Sequence, residues 1–147
     1  SEADKPKVIF YRNFDLNSSI IRSAIKAAAI KDDYLYVSNV NGLYVFRLVK
    51  GDDGRFTSEL VGRRLATPLE KLAGRRPEDL IFYKGYLVEA SGGFGMIVYD
   101  VSDASSPRRA FHAGTTHFTS DVGVWEGLLY LQGYGFTVSF YDVPELN

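Results

Sequence analysis

Short apolar runs separated by Gly, Asn and Asp turns recur along the chain, and this pattern predicts β-strands joined by tight turns. The first predicted strand covers residues 7–14. Residues 34–38 and 43–49, on either side of a turn, predict a hairpin. Residues 24–29 are rich in Ala and have helical propensity, but the repeat described below makes them the inner strand of a sheet.

One segment departs from this pattern and predicts a helix. Thr67 can cap it, Pro68 suits its first position, and Glu70 completes a capping box. Gly74 can end it. The sequence therefore predicts a single short helical insertion near residues 68–73.

An internal repeat determines the predicted fold. Residues 79–101 and 121–143 align at an offset of 42 without a gap, with eight identities in 23 positions. The identities are Asp79/Asp121, Gly85/Gly127, Leu87/Leu129, Gly93/Gly135, Phe94/Phe136, Tyr99/Tyr141, Asp100/Asp142 and Val101/Val143. A weaker copy lies upstream, where residues 34–35 stand 52 positions before residues 86–87.

A period near 42 with four strands per copy is typical of β-propellers, because a small sheet has two faces and buries them by stacking against neighbouring sheets. The prediction is an all-β fold, a β-propeller segment of about three four-stranded antiparallel blades. The blade units are residues 20–64, 75–114 and 117–143. Together with the strand at residues 7–14 they form one domain over residues 1–147, a propeller or half-propeller.

Residues 96–114, which end the second copy, resemble the LVIVD-repeat β-propellers. The matching residues are Ile97, Val98, Asp100, Val101, Ser102, Asp103, Ser106 and Pro107. The resemblance is best over residues 79–143 and poor over residues 28–64, where Arg47-Leu48-Val49-Lys50 replaces the Asp-Val-Ser-Asp turn. It implies an exported protein, extracellular or periplasmic, with no defined enzymatic activity.

Composition narrows the function classes. Hydrophobic residues make up 46% of the chain, which excludes a disordered protein. The net charge of −1 gives no reason to expect nucleic acid or an anionic membrane as partner. Without cysteine there are no disulfides, thiolate metal sites or cysteine nucleophiles. No apolar run reaches the roughly 18 residues of a membrane span, and a removed secretory signal would fit the start at Ser1.

The candidate ligand site lies at the mouth of the predicted channel. Asp79 and Asp121 begin the innermost strands of successive copies, with Arg75, Arg76 and His117 beside them. The structural interpretation is a repeated strand-end hydrogen bond. The functional interpretation is a polar ring that binds a ligand or serves as acid and base.

Neither a metal site nor a cofactor site is predicted. His112 and His117 diverge on a blade, and no third ligand is evident. No nucleophile or oxyanion donor accompanies the carboxylates. We therefore expect a non-enzymatic binding or scaffold module, the alternative being a propeller enzyme or ligand-binding protein that uses the channel mouth.

Interface residues are predicted at the start of the chain and at hairpin tips. Val8, Ile9 and Phe10 form the apolar part of the first strand, and Phe94 and Tyr134 occupy exposed tips. The other strand aromatics are predicted to lie mostly in the core between blades: Phe82, Tyr83, Trp125, Tyr130, Phe136 and Tyr141.

The predicted assembly follows from a missing strand. The third copy stops after its third strand, whereas residues 5–10 resemble residues 106–111, the outer strand of the second copy. Two chains that exchange this N-terminal strand would form a homodimeric six-bladed ring. A different rotation would give an open filament, and a second propeller-forming chain could replace the second copy.

Overall fold

The computed structural model describes residues 5–115 and 117–145 and consists mostly of antiparallel sheet, with 53% strand, 6% helix and one strongly curled, half-barrel sheet. The elements are α1 (Ser18–Ile21), β1 (Ala27–Lys31), β2 (Tyr34–Asn39), β3 (Gly42–Lys50), β4 (Phe56–Leu65), α2 (Pro68–Leu72), β5 (Arg75–Tyr83), β6 (Tyr86–Gly92), β7 (Met96–Asp100), β8 (Arg108–Ala113), β9 (Thr119–Trp125), β10 (Leu128–Gly133) and β11 (Val138–Tyr141).

The strands form three layers in chain order. The first layer is the four-stranded sheet β1-β2-β3-β4. The second layer, β5 to β8, and the third, β9 to β11, have the same order of neighbours, and each consecutive pair is antiparallel. One residue pair, Gly92 with Thr119, joins β6 to β9 and merges these two layers into a seven-stranded sheet.

The hydrophobic core lies between the layers. Its first part is enclosed by the first and second layers and consists of Ala27, Tyr36, Leu43, Val45, Leu80, Leu87, Phe94, Ile97 and Tyr99. Its second part is enclosed by the second and third layers and consists of Tyr83, Tyr86, Val88, Ala90, Met96, Val98, Val122, Leu129, Leu131 and Val143. The second layer is thus buried on both faces.

The chain segment before β1 covers the outward face of the first layer. Leu16, Ile20 and Ile21 pack against a buried cluster that includes Phe46. The Asn39 side chain donates a hydrogen bond of 2.9 Å to the Ile21 carbonyl. The first layer therefore has no open apolar face.

Several predicted elements are confirmed. The hairpin predicted over residues 34–38 and 43–49 is β2 and β3. The Ala-rich stretch enters strand β1 at Ala27, because pairing with β2 outweighs its helical propensity. Helix α2 has the predicted capping box, in which the Thr67 hydroxyl accepts from the Glu70 amide at 3.1 Å and the Glu70 carboxylate accepts from the Thr67 amide at 2.9 Å.

The predicted strand over residues 7–14 is wrong for the single chain, which has no regular secondary structure there. A strand needs a hydrogen-bonding neighbour, and none of the described strands pairs with this segment. Its second half instead rests on β4, where Tyr11 and Phe14 contact the Phe56 ring edge-on at 6.2 and 6.1 Å. The first unit also begins later than residue 20, because α1 occupies residues 18–21.

Candidate interaction surface

The outward face of the third layer is apolar and exposed. Trp125, Val138 and Phe140 are 59, 48 and 53% exposed. Strand register places them on one face with Tyr130, since Tyr130 pairs with Phe140 and both border a shallow depression of about 320 Å³. We call Trp125, Tyr130, Val138 and Phe140 the open face.

The open face corresponds to a face that is packed elsewhere in the molecule. A shift of 42 positions back along the sequence turns its four residues into Tyr83, Val88, Met96 and Val98. These are the residues through which the second layer packs against the third. The third layer therefore presents the side chains that would bury a further sheet.

The outer edge of the third layer is also open. In the first two layers the third strand pairs with a fourth, as β3 does with β4 and β7 with β8. Among the described strands, β11 pairs only with β10. The backbone groups on the other side of β11 are thus available for an added strand, which is a common mode of protein association.

Asp79 and Asp121 take equivalent positions on β5 and β9, opposite Ala90 and Gln132, as the repeat predicts. The Asp79 carboxylate accepts hydrogen bonds from the amides of Leu80 at 2.9 Å and Val122 at 3.1 Å. Asp79 therefore ties the second layer to the third.

Asp121 lies on the open side of the third layer. Its carboxylate is exposed and accepts a hydrogen bond from the Ser120 hydroxyl at 3.1 Å. Asp121 thus repeats the position of Asp79 without an adjoining layer to bind among the described residues.

The other residues predicted at the channel mouth point to different places. Arg75 is buried between the first two layers. Arg76 is exposed, pairs with Glu78 at 3.0 Å and lies over the Phe118 ring at 5.8 Å. His117 lies within 3.1 Å of the Ser139 hydroxyl. The structure does not bring these side chains and the two aspartates together in one ring.

The N-terminal apolar residues, which are predicted to lie in an interface, are exposed in the single chain. Val8, Ile9 and Phe10 are 100, 78 and 74% exposed. Tyr134 is also exposed, and its ring stacks on Phe118 with 5.0 Å between centroids.

The exposure predicted for Phe94 is wrong. It is 8% exposed, because the glycine turn folds its ring inward onto His112, with 3.8 Å between ring centroids. Trp125 and Phe136 are predicted to lie in the core, and this prediction is also wrong. Both side chains are exposed, Phe136 fully. The 42-residue offset from Tyr83 to Trp125 identifies a packing face, but not the absence of a layer to pack on it.

A buried polar cluster, which the sequence did not reveal, joins the first two layers. Glu89 is completely buried and accepts hydrogen bonds from the hydroxyls of Ser38 and Ser91 and, at 3.1 Å, from Arg75. Arg75 also donates to the Asn39 carbonyl at 2.8 Å. The one available signal was an acidic residue inside the apolar run of β6.

A second ionic contact joins the outer strands of the same two layers. Glu70 is buried and binds Arg64 of β4 through two bonds of 3.0 and 3.1 Å and Arg109 of β8 through one of 2.9 Å. Burial opposes ionisation of Glu70, but the hydrogen bonds and positive charges of the arginines outweigh it and lower its pKa. Helix α2 therefore holds a carboxylate between two layers.

Two aspartates cap the turn from β7 to β8 through hydrogen bonds to serines that follow them. Asp100 accepts from the Ser102 amide and hydroxyl at 2.9 and 2.7 Å, and Asp103 does the same for Ser105. Hydrogen bonds from Ser102, together with Arg108, lower the pKa of Asp100 to about 2. The pair of Asp100 with Arg108, at 2.7 Å, fixes the start of β8.

Within residues 5–115 and 117–145, no group of three or more His, Asp or Glu side chains is placed to hold a metal ion. None of the helices described is long and apolar enough to cross a membrane.

Comparison with protein families, curated proteins and solved structures finds nothing that matches this chain. The resemblance to LVIVD-repeat propellers therefore stays a prediction. The open face and the free edge of β11 are the features that indicate a function.

Substitution of the two equivalent aspartates tests the structural role of Asp79. We expect Asp79→Ala to lower the free energy of unfolding by about 1–2 kcal/mol, because the Val122 amide loses a charged acceptor. Asp121→Ala is the matched control and should change it by less than about 0.5 kcal/mol. Urea unfolding followed by tryptophan fluorescence measures both, and equal losses would contradict the assignment.

Proposed function

We propose that this protein is a non-enzymatic assembly module, a β-propeller segment that binds another antiparallel sheet on its third layer. The observation that carries the proposal is the open face, whose residues repeat those that pack the second layer against the third. A monomer rarely leaves such a face exposed, so it is a candidate site for another polypeptide.

The layered architecture supports the propeller part of this proposal. Each layer is a meander of antiparallel strands, and the layers stack face to face through apolar side chains. Propellers need about four to eight blades to close a ring, so three layers require more sheets. A second copy of the chain would make six blades, and another propeller-forming chain is the alternative partner. In a two-chain ring, residues 16–21 would line the joint between copies.

An enzyme at the channel mouth has less support. Arg75 and Asp79 are engaged in contacts between layers, and His117 contacts Ser139 on a different strand. Export to an extracellular or periplasmic compartment, which the resemblance to LVIVD propellers implies, belongs to the same proposal.

The test removes the open face and measures the mass in solution. Trp125→Ser with Phe140→Ser should weaken association by at least about 30-fold, because buried aromatic anchors contribute about 2 kcal/mol or more. Sedimentation of the intact chain should show species heavier than 16.4 kDa, and the double variant should shift toward that mass.

A matched control replaces exposed leucines that lie away from the open face. Leu69 and Leu72 on α2 are 73 and 87% exposed. Leu69→Ser with Leu72→Ser should leave association unchanged. Equal association of the intact chain and the Trp125/Phe140 variant would contradict the proposal.

A further inference from the structure

Residues 7–10, which we call the arm, extend from the first layer without a strand partner. Val8, Ile9 and Phe10 are exposed. The base of the arm is fixed, because Tyr11 contacts the Phe56 ring and Lys50 lies over the Tyr11 ring at 5.0 Å. Phe56 begins β4, the outermost strand of the first layer. The arm thus leaves the molecule at the outer rim of the layers.

Among the described strands, none takes the corresponding place at this rim in the third layer. In the first two layers the outermost strands are β4 and β8, and within the described residues nothing occupies that place beside β11. An apolar segment without a partner and a sheet edge without a neighbour therefore occur in one chain.

We infer that the arm of a second copy adds to the free edge of β11 as the fourth strand of the third layer. This inference rests on the proposed function and names the partner. The arm would run antiparallel to β11 in the register that β8 takes on β7. There Val98 pairs with Phe111 and Asp100 with Arg108, so Phe140 would lie opposite Phe10 and Asp142 opposite Lys7.

The sequence supports this register. Lys5-Pro6-Lys7-Val8-Ile9-Phe10 resembles Ser106-Pro107-Arg108-Arg109-Ala110-Phe111, with Pro, a basic residue and Phe at the same places. In the second layer Phe111 packs edge-on against Tyr86, with 5.8 Å between ring centroids. The equivalent contact would place Phe10 on Leu128, next to the open face.

Charge supports the same pairing. Residues 5–14 contain Lys5, Lys7 and Arg12 and no acidic residue. Residues 110–147 contain no lysine or arginine, and their four acidic residues are Asp121, Glu126, Asp142 and Glu145. Lys7 of the arm is therefore attracted to an acidic third layer, most strongly at low ionic strength.

One carboxylate is placed to bind the arm. Asp100 uses Oδ1 for Ser102 and Oδ2 for Arg108 at 2.7 Å. Asp142, its equivalent 42 positions later, uses Oδ1 for Lys84 at 2.7 Å and for Tyr83 at 3.1 Å. Lys7 of the arm would bind Oδ2 as Arg108 binds that of Asp100.

Layer order indicates a second copy rather than the same chain. The second layer separates the first from the third. The arm spans about 13 Å when extended, at about 3.3 Å per residue. Because its base lies on the first layer, the arm has to cross the second layer to reach the β11 edge of its own chain. We therefore expect it to pair with the β11 edge of an adjoining copy.

Disulfide trapping tests the register directly, because the chain has no cysteine. Phe10→Cys in one copy and Phe140→Cys in a tagged copy imitate the directly opposed pair Phe111 and Val98. Cysteines at directly opposed positions of antiparallel strands are close enough to form a disulfide. In a glutathione buffer we expect the mixed disulfide at least tenfold in excess over the product of Phe10→Cys with Leu72→Cys, the control. Equal yields would overturn the inference.

Deletion and addition of the arm give an independent measurement. The chain without residues 1–10 retains the Tyr11 and Phe14 anchors and should associate at least tenfold more weakly than the intact chain. A synthetic peptide of residues 5–12 should bind the shortened chain, more weakly at 500 mM than at 50 mM salt. The same peptide with Val8→Pro is the control and should not bind, because proline disrupts the added strand.

The outcomes separate this inference from the proposed function. If the shortened chain associates like the intact one while the Trp125/Phe140 double variant does not, arm pairing is overturned and the open face stands. If both variants weaken association, both are supported. A purely monomeric intact chain at micromolar concentration would overturn arm pairing between copies.

Discussion

Replacing Arg75 with methionine is expected to lower the free energy of unfolding by about 3–5 kcal/mol. The substitution removes the cation that binds Glu89 at 3.1 Å, and both side chains are about 99% buried or more. Glu89 would then lie buried without its counterion, which costs stability. Arg75 also holds the Asn39 carbonyl, so the loss extends into the first layer.

A double variant distinguishes the charge effect from lost packing. Glu89→Gln keeps an acceptor for Ser38 and Ser91 but removes the charge that Arg75 balances. Arg75→Met combined with Glu89→Gln should therefore be more stable than Arg75→Met alone, as measured by chemical denaturation at neutral pH. If the double variant loses the sum of both single effects, the pair is not coupled and the explanation is wrong.

Glu70→Ala is expected to lower the free energy of unfolding by about 2–4 kcal/mol. The substitution removes a capping box and leaves two arginines without their shared carboxylate. Glu59→Ala is the matched control. Glu59 forms an ion pair of 2.7 Å with Arg47, but both side chains are more than half exposed. We expect its loss to cost at most about 1 kcal/mol, as for other surface pairs.

The stability from Glu70 should depend on pH in a defined direction. Its pKa in the folded protein lies below the ordinary value of 4.5. Its contribution is therefore complete above pH 4.5 and is lost as the pH falls through the lower, folded pKa. Thermal unfolding should be measured for the native chain and for Glu70→Gln between pH 3 and 7. The difference in stability between the two proteins should narrow only at acidic pH. A constant gap would mean that the charge of Glu70 is not responsible.

Local sequence signals predict the hairpins and helix α2 correctly. The Gly-centred turns marked the hairpins, and the Thr67 to Glu70 capping box marked the helix, because these are short-range hydrogen-bonding patterns. The strand over residues 7–14 failed for the opposite reason. Its Val-Ile-Phe run has strand propensity, but a strand also needs a neighbouring backbone, and none of the described strands supplies one.

The contacts between layers could not be predicted from patterns. Glu89 and Arg75 are 14 residues apart, and their contacts to Ser38 and Asn39 reach 51 and 36 residues away. Such pairs depend on how two sheets stack, which periodicity does not specify. Trp125 was placed in the core because its equivalent, Tyr83, belongs there. Its exposure follows from the absence of a fourth layer in the described chain.

The segment that covers the outward face of the first layer affects how the protein folds during synthesis. Residues 16–65 hold the four strands of that layer and the segment that shields its outward face, so its contacts are local in sequence and form rapidly. The ribosome releases this part before the other two layers, and each later layer can add to a sheet that is already formed. The open face on the third layer therefore forms on a base that has already folded.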